Sequence, residues 1–378
     1  MYIHIPFCKR KCNYCDFLSF SGKDYYYWSY LDALMRDIRR YGGHTVSTVY
    51  IGGGTPSAMP IGFYDTLFEC IRENFFLQPD AEVTIEANPG TLTAAKAVEY
   101  KRAGINRMSL GLQSTIDEEL QTLGRIHTYN DFLKSFEVAR KAGISNINVD
   151  LMMGIPGQTE ESFKTTLSRI ALLHPEHISA YMLMVEDGTP FQELYRTQPS
   201  IFPDEETVGK LYEMTVAFLA KKGYSQYEIS NFSRSGYACK HNIGYWKRIP
   251  YLGIGLGAAS LIDDTRYRVT TDLSDYLKEL SYESEEKLTM RDIKNETLML
   301  GLRLKEGVSY SELKDEFGEG FAGYTIARLG RYVEEGFMEH DYDRFFFNTK
   351  GYLVSNSILS DLLGEKIRLI FMFLTTNK

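Results

Sequence analysis

The 378-residue chain has no apolar stretch that reaches the roughly 20 residues a bilayer-spanning helix needs. It also lacks a charged leader followed by an apolar run and a small-residue cleavage site. Both absences argue against a helical membrane protein and a secreted precursor, and the expectation is a cytoplasmic protein. Cysteine is scarce: five residues, an odd number, suit a reducing compartment better than a disulfide framework. Basic residues are in deficit, 42 Lys and Arg against 50 Asp and Glu, for a net charge of -8. A polyanion-binding surface is therefore not expected to be the main business of the chain, and nucleic acid is not an expected partner. What remains is ordinary globular material, 44% hydrophobic and 24% charged, long enough for a catalytic domain plus a smaller one.

Three of the five cysteines fall within the first fifteen residues, in YIHIPFCKRKCNYCDF, with three residues between Cys8 and Cys12 and two between Cys12 and Cys15. Thiolates are soft ligands suited to iron-sulfur clusters, and a four-iron cubane held by three cysteines leaves one iron open for chemistry. A structural zinc site is the alternative. It would need a fourth ligand from His4, Cys70 or Cys239, because no second cysteine pair exists to complete it.

Short β-type runs alternate with amphipathic helical patterns up to about residue 185. Strands are expected at Tyr2 to Pro6, Ser47 to Ile51, Glu82 to Glu86, Arg107 to Leu110, Asn146 to Leu151 and His177 to Met184. Helices are expected between them, at Tyr25 to Arg40, Phe63 to Asn74, Thr93 to Ala103, Tyr129 to Ala142 and Glu160 to Leu172. Repeated strand-helix units imply a parallel sheet, and the GGGTP run at 52 to 56, Glu86, Asn88, Gln113 and Asp150 sit at or just past strand ends, where parallel sheets bind ligands. The cysteine loop falls on the same rim. An aromatic and glycine-rich stretch at 224 to 262 is expected across or beside that mouth, with a charged linker near 282 to 292 after it. Three helical patterns, a short hairpin and a last helix complete the chain, resembling a winged-helix module. The apolar run IRLIFMFL reads as a packed terminal helix, with peripheral contact to a membrane or partner as the minority reading.

The cysteine spacing, Tyr14, GGGTP at 52, IEANP at 85, SLGLQS at 109, LGR at 123 and NVDLMMGIPGQT at 148 resemble the radical S-adenosylmethionine enzymes of the coproporphyrinogen-dehydrogenase group nearly end to end. The resemblance implies an α/β fold, a partial (β/α)6 barrel with a winged-helix-like C-terminal domain. The expected divisions are 1–223 for the barrel, 224–286 for the aromatic extension and 287–378 for the last domain. It also implies a 4Fe-4S cluster on Cys8, Cys12 and Cys15, whose open iron binds S-adenosylmethionine and whose electron releases a deoxyadenosyl radical. Gly53, Gly54 and Thr55 would hold the methionine moiety, Glu86, Gln113, Arg125 and Asp150 would contact the rest of that cofactor, and Tyr2 and Tyr14 would lie close by.

Within the group, Phe17 stands where the oxidative decarboxylase carries a fourth cysteine, and no extension precedes the cluster strand. Both features, with His241, Asn242, Tyr245 and Trp246 forming the pattern HNxxYW, resemble the sister family of HemW-type haem chaperones. That resemblance implies haem as a third cofactor, with His241 as its ligand, transfer to haem-acceptor proteins, and a homodimer by analogy. Cys239 is a competing thiolate, although a buried inert thiol is the simpler reading. One departure is Ala259, in GLGAAS, where chaperones of this kind often carry a histidine. The alternative function is oxygen-independent coproporphyrinogen III oxidation, in which propionate side chains are oxidatively decarboxylated to give protoporphyrinogen IX.

Overall fold

The computed structural model describes residues 1–279 and 282–364; the run IRLIFMFL lies outside the described residues. Six parallel strands follow one another in chain order: β1 (Tyr2–Ile5), β2 (Thr45–Gly53), β3 (Phe76–Ala87), β4 (Arg107–Gln113), β5 (Asn146–Met153) and β6 (His177–Met182). Asn231–Ser233 adds antiparallel to β6, and Gly253–Ile254 adds parallel to β1. The two ends of the sheet are not paired with each other, so the barrel is partial.

The helices form because their sequences start and bury themselves well. Thr93, Thr128 and Thr159 each accept a hydrogen bond from a backbone N–H of the first turn, capping Ala94–Ala103, Tyr129–Lys141 and Glu160–Leu172. Tyr27–Arg40 turns Tyr30, Leu31, Leu34 and Ile38 inward at helical spacing. These helices cover the outer face of the sheet, which is aliphatic: Ile3, Ile5, Val49, Ile51, Val83, Ile85, Met108, Leu110, Ile147, Val149 and Ile178 are all buried.

The other face reads differently. Register places Tyr2, Tyr50, Thr84, Arg107 and Asn146 on one level across five strands, and the next level up carries His4 beside Gly52, and Glu86, Ser109, Asn148 and His177 side by side. Above them Gly111, Asp150 and Ser179 align. Parallel strands buried on both faces usually read as continuous apolar runs, and closed barrels fill their interior with branched aliphatics. Here the period-2 alternation gives a polar lumen, which suits a polar occupant.

Ser225–Gln226 pairs beyond Asn231–Ser233 as the edge strand, and the stretch from Ser225 to Ile254 runs from one edge of the sheet to the other, carrying the helix Lys240–Trp246 on the way. The segment expected as a charged linker is instead a strand, Tyr282–Lys287, third in a small antiparallel sheet with Ala259–Ile262 and Thr265–Val269. Its charges are cross-strand partners: Arg266 lies opposite Glu286 and pairs with it at 3.6 Å. Buried Glu296, on the helix Met290–Gly301, takes Arg248 at 3.0 Å and Arg266 as ion-pair partners and ties this sheet to the C-terminal helices. The remaining described chain packs helices Met290–Gly301, Tyr310–Phe317 and Glu319–Glu334 against a sheet of Val308–Ser309, Arg344–Phe347 and Met338–His340. That is the winged-helix-like arrangement the sequence leads one to expect.

Candidate functional site

At the carboxyl ends of the strands the cysteine loop is docked at several points. Asn13 binds the carbonyls of Leu123 and Thr122 at 3.0 and 2.9 Å, and a side chain on Gly124 would strike Asn13 at 2.9 Å. Tyr14 is half-buried and packs with Leu123, Met152, Ile155 and Phe191. A chain of polar contacts links the Cys8 and Cys12 thiols. Thr55 donates to Cys8 Sγ at 3.4 Å, Asn88 donates to Thr55 at 2.9 Å, Arg125 donates to Asn88 at 2.6 Å, and Arg125 donates to Cys12 Sγ at 3.6 Å.

The three glycines are each required by a different neighbour. A Cβ on Gly52 would lie 3.1 Å from Glu86, one on Gly53 only 2.5 Å from the His4 ring, and one on Gly54 3.0 Å from Cys8 Sγ. Gly53 also holds φ at 111°, which side-chain-bearing residues rarely adopt. The turn therefore brings the glycine backbone onto the cluster loop itself.

Glu86 accepts from Tyr50 Oη at 2.8 Å and from the Gly53 N–H at 3.1 Å. Burial, and after it the charge of Asp150, pushes the Glu86 carboxyl up to about 7. Asp150 accepts from Ser109 at 3.0 Å and Asn148 at 2.7 Å. Gln113 is buried with φ at 76°, beside a register irregularity in β4, and accepts from Tyr181 at 2.7 Å. A non-glycine residue held in that conformation at a strand end marks stored strain of the kind that clusters at ligand sites.

Tyr2 stands deeper than the rim. It is buried in the lumen, its hydroxyl hydrogen-bonded to His4 Nδ1 at 3.0 Å, while His4 Nε2 meets the Leu18 carbonyl at 2.8 Å. Burial lowers His4 to about 4, so its ring is neutral, and it is the wall behind Gly53. Tyr2 thus reaches the rim through His4.

His241 lies at the opposite end, beneath the lumen, on the helix Lys240–Trp246. It is 5% exposed, with Nδ1 on Thr48 Oγ1 at 2.8 Å and Nε2 on Tyr245 Oη at 3.2 Å. The carboxylate of Glu82 accepts from Cys239 Sγ, Lys240 N and His241 N at 3.3, 3.1 and 3.1 Å and pins the helix start. Burial pushes the Cys239 thiol up to about 12, which leaves it inert. Burial, followed by the neighbouring chain amino group and the Arg107 guanidinium, holds the His241 imidazole well below its ordinary value. The structure brings together the cysteines, Thr55, Arg125 and the glycines at one end, sets Glu86, Gln113 and Asp150 just below them, and places His241 apart from all of these.

Sequence reasoning missed Tyr50, Glu82, Arg107, Ser109, Asn148 and His177. The signal was present as the strict alternation of RMSLGLQ and NINVDL, which gives the strands a polar side.

The donor set fits a cluster better than zinc. Cys8, Cys12 and Cys15 lie close together on one docked loop, and Lys9, Arg10 and Arg125 line the cleft beside Cys12. Three thiolates with no fourth protein ligand beside them among the described residues suit a cubane, which takes one thiolate on each of three irons, better than a structural zinc, which takes four protein ligands.

Comparison with known proteins agrees. The family model described as Radical SAM superfamily matches residues 2–170, and that of the HemN C-terminal domain matches residues 288–354. The chain is 34% identical to the heme chaperone HemW of Bacillus subtilis, over 96% of this chain and 99% of that protein. It is 35% identical to the heme chaperone HemW of Escherichia coli, over 97% and 98%. The solved structure of coproporphyrinogen III oxidase (HemN) from Escherichia coli superposes with a TM-score of 0.83 at 25% identity, over 96% of this chain and 89% of that one. Radical SAM proteins use a 4Fe-4S cluster and S-adenosylmethionine, and when bound the cluster supplies the electron that cleaves the sulfonium. The end-to-end relatedness to these chaperones places the chain in the HemW family of radical SAM proteins.

Proposed function

We propose that this protein binds haem and delivers it to acceptor haem proteins in the cytoplasm, with a 4Fe-4S cluster and S-adenosylmethionine at the rim. The observation that carries the reading is the near-complete overlap with the haem chaperones at both ends of the chain. Phe17 and the HNxxYW residues support it over the decarboxylase.

In this reading Cys8, Cys12 and Cys15 hold the cluster. Tyr14, Gly53, Gly54, Thr55, Glu86, Gln113, Arg125 and Asp150 contact S-adenosylmethionine, with Tyr2 acting behind His4. His241 is the haem ligand; a neutral imidazole suits haem iron. The chain divides into 1–223, 224–286 and 287–378, and works as a homodimer. No described helix is long and apolar enough to cross a membrane.

Anaerobic reconstitution and two assays on one preparation test the proposal. Haem titration should give a Soret band that His241→Ala removes, while coproporphyrinogen stays unconverted. Formation of protoporphyrinogen would overturn the reading in favour of the oxidase.

A further inference from the structure

Arg107 opens β4 and is 2% exposed. It shares its parity with Ser109, which meets Asp150 and Asn148 inside the barrel, so its side chain enters the lumen. Its Nε is enclosed without a hydrogen-bond partner, and among the described residues no carboxylate pairs with it. Fully buried guanidinium groups are rare unless paired, because desolvating a charge is costly.

The groups whose charges reach it are Cys239, Glu82, Tyr50 and Tyr227, with Glu86 and Asp150 higher in the lumen. Each is already engaged. Both oxygens of Glu82 are committed to the start of the Lys240–Trp246 helix, Tyr50 donates to Glu86, which also takes the Gly53 N–H, Tyr227 meets His177 at 2.8 Å, and Asp150 accepts from Ser109 and Asn148. A cation is thus held ready beside the helix that carries His241. An anionic ligand group would satisfy its charge and its free N–H together, and the planar fork of a guanidinium matches a carboxylate best.

We propose that Arg107 receives a propionate carboxylate of the cargo while His241 takes its iron, both groups being freed when the Lys240–Trp246 helix leaves Glu82. The inference rests on the haem-carrying reading above. Haem joins the two features the site offers, a metal that accepts a neutral imidazole and carboxylates that accept a guanidinium. The methionine carboxylate of S-adenosylmethionine shares the second feature, but the cysteine loop that would anchor it stands at the far end of the strands.

The experiment compares haem with its dimethyl ester, in which both propionates are capped, by Soret titration of the reconstituted protein. The wild type should prefer haem by about ten- to hundredfold, the range of a charge-assisted hydrogen bond. Arg107→Gln should reduce the preference to about twofold or less without weakening the ester, and Arg107→Lys should restore part of it. Equal affinity of the wild type for both compounds overturns the assignment without recourse to a variant. A preference that survives in Arg107→Gln overturns it too. Loss of S-adenosylmethionine binding in Arg107→Gln, measured by calorimetry, with the haem preference intact, would reassign the residue to that cofactor. A wild type that gives no Soret band with either compound refutes the haem reading itself, a failure distinct from the others.

Discussion

Tyr50 lies stacked on His241, ring centroids 5.1 Å apart and planes 20° from parallel, and the same tyrosine donates its hydroxyl to Glu86. One side chain therefore touches both the Glu86 carboxylate and the imidazole below. Tyr50→Phe keeps the stack and removes the hydroxyl. Haem affinity should change by less than about threefold while S-adenosylmethionine affinity falls about three- to tenfold, the scale of an ordinary hydrogen bond lost beside the ligand. Equal losses of both ligands would show that the hydroxyl serves both sites and would refute this division of roles.

The raised carboxyl of Glu86 carries a pH signature. Its folded-state value near 7 exceeds its ordinary 4.5, so the native state holds the proton longer than the unfolded chain does. Stability from this group is fully present below about pH 4.5 and is lost as pH rises towards 7, the reverse of a salt-bridged carboxylate. Denaturant titrations of the apoprotein across that window should show Glu86→Gln losing less stability with rising pH than the wild type. An identical slope in both would refute the assignment. S-adenosylmethionine should bind more tightly above pH 7, where Glu86 is an anionic acceptor.

Glu82 gathers three donors at the start of one short helix. Glu82→Gln halves its capacity to accept and should raise the opening of Lys240–Trp246 by about ten- to hundredfold. Peptide-resolved thiol labelling of Cys239, slow in the wild type, would report it. Unchanged labelling would mean that Thr48 and the packing of the helix hold it without the carboxylate.

Cluster ligation divides the cysteines sharply. Cys8→Ala should abolish cluster absorbance, because Cys8 sits on the docked loop beside Gly54 and Thr55. Cys70→Ala should leave it intact, since that thiol is buried on the helix Phe63–Asn74 against the Met35 carbonyl. Iron retained in the first variant would contradict the assignment.

Gly53→Ala combines a left-handed backbone with a clash against His4. A destabilisation of about 1–3 kcal/mol is expected, read by denaturant midpoint of the apoprotein. A neutral result would mean that His4 yields readily.

The periodicities of the helices Phe63–Asn74 and Glu160–Leu172 locate both to the residue, and all six parallel strands were legible to within a few positions, β3 apart, which begins earlier at Phe76. The cysteine loop was legible because its chemistry is local, three thiols on one short segment. Arg107 was not. A lone arginine at the start of a strand looks like a surface residue until register sets it level with Tyr50 and Thr84. The segment Tyr282–Lys287 was read as linker for a related reason: its charges make sense only opposite Arg266. His241 was recognised from its neighbours in sequence, but its burial against Thr48, 193 residues away, depends on long-range packing.

Among the described residues the two edges of the sheet do not pair with each other; the chain from Ser225 to Ile254 spans them and carries the helix at the amino-end floor. In the reading proposed above, a nucleoside would enter past the cysteine loop and a porphyrin past the Lys240–Trp246 helix, so neither guest need pass the other and their order of arrival is left free.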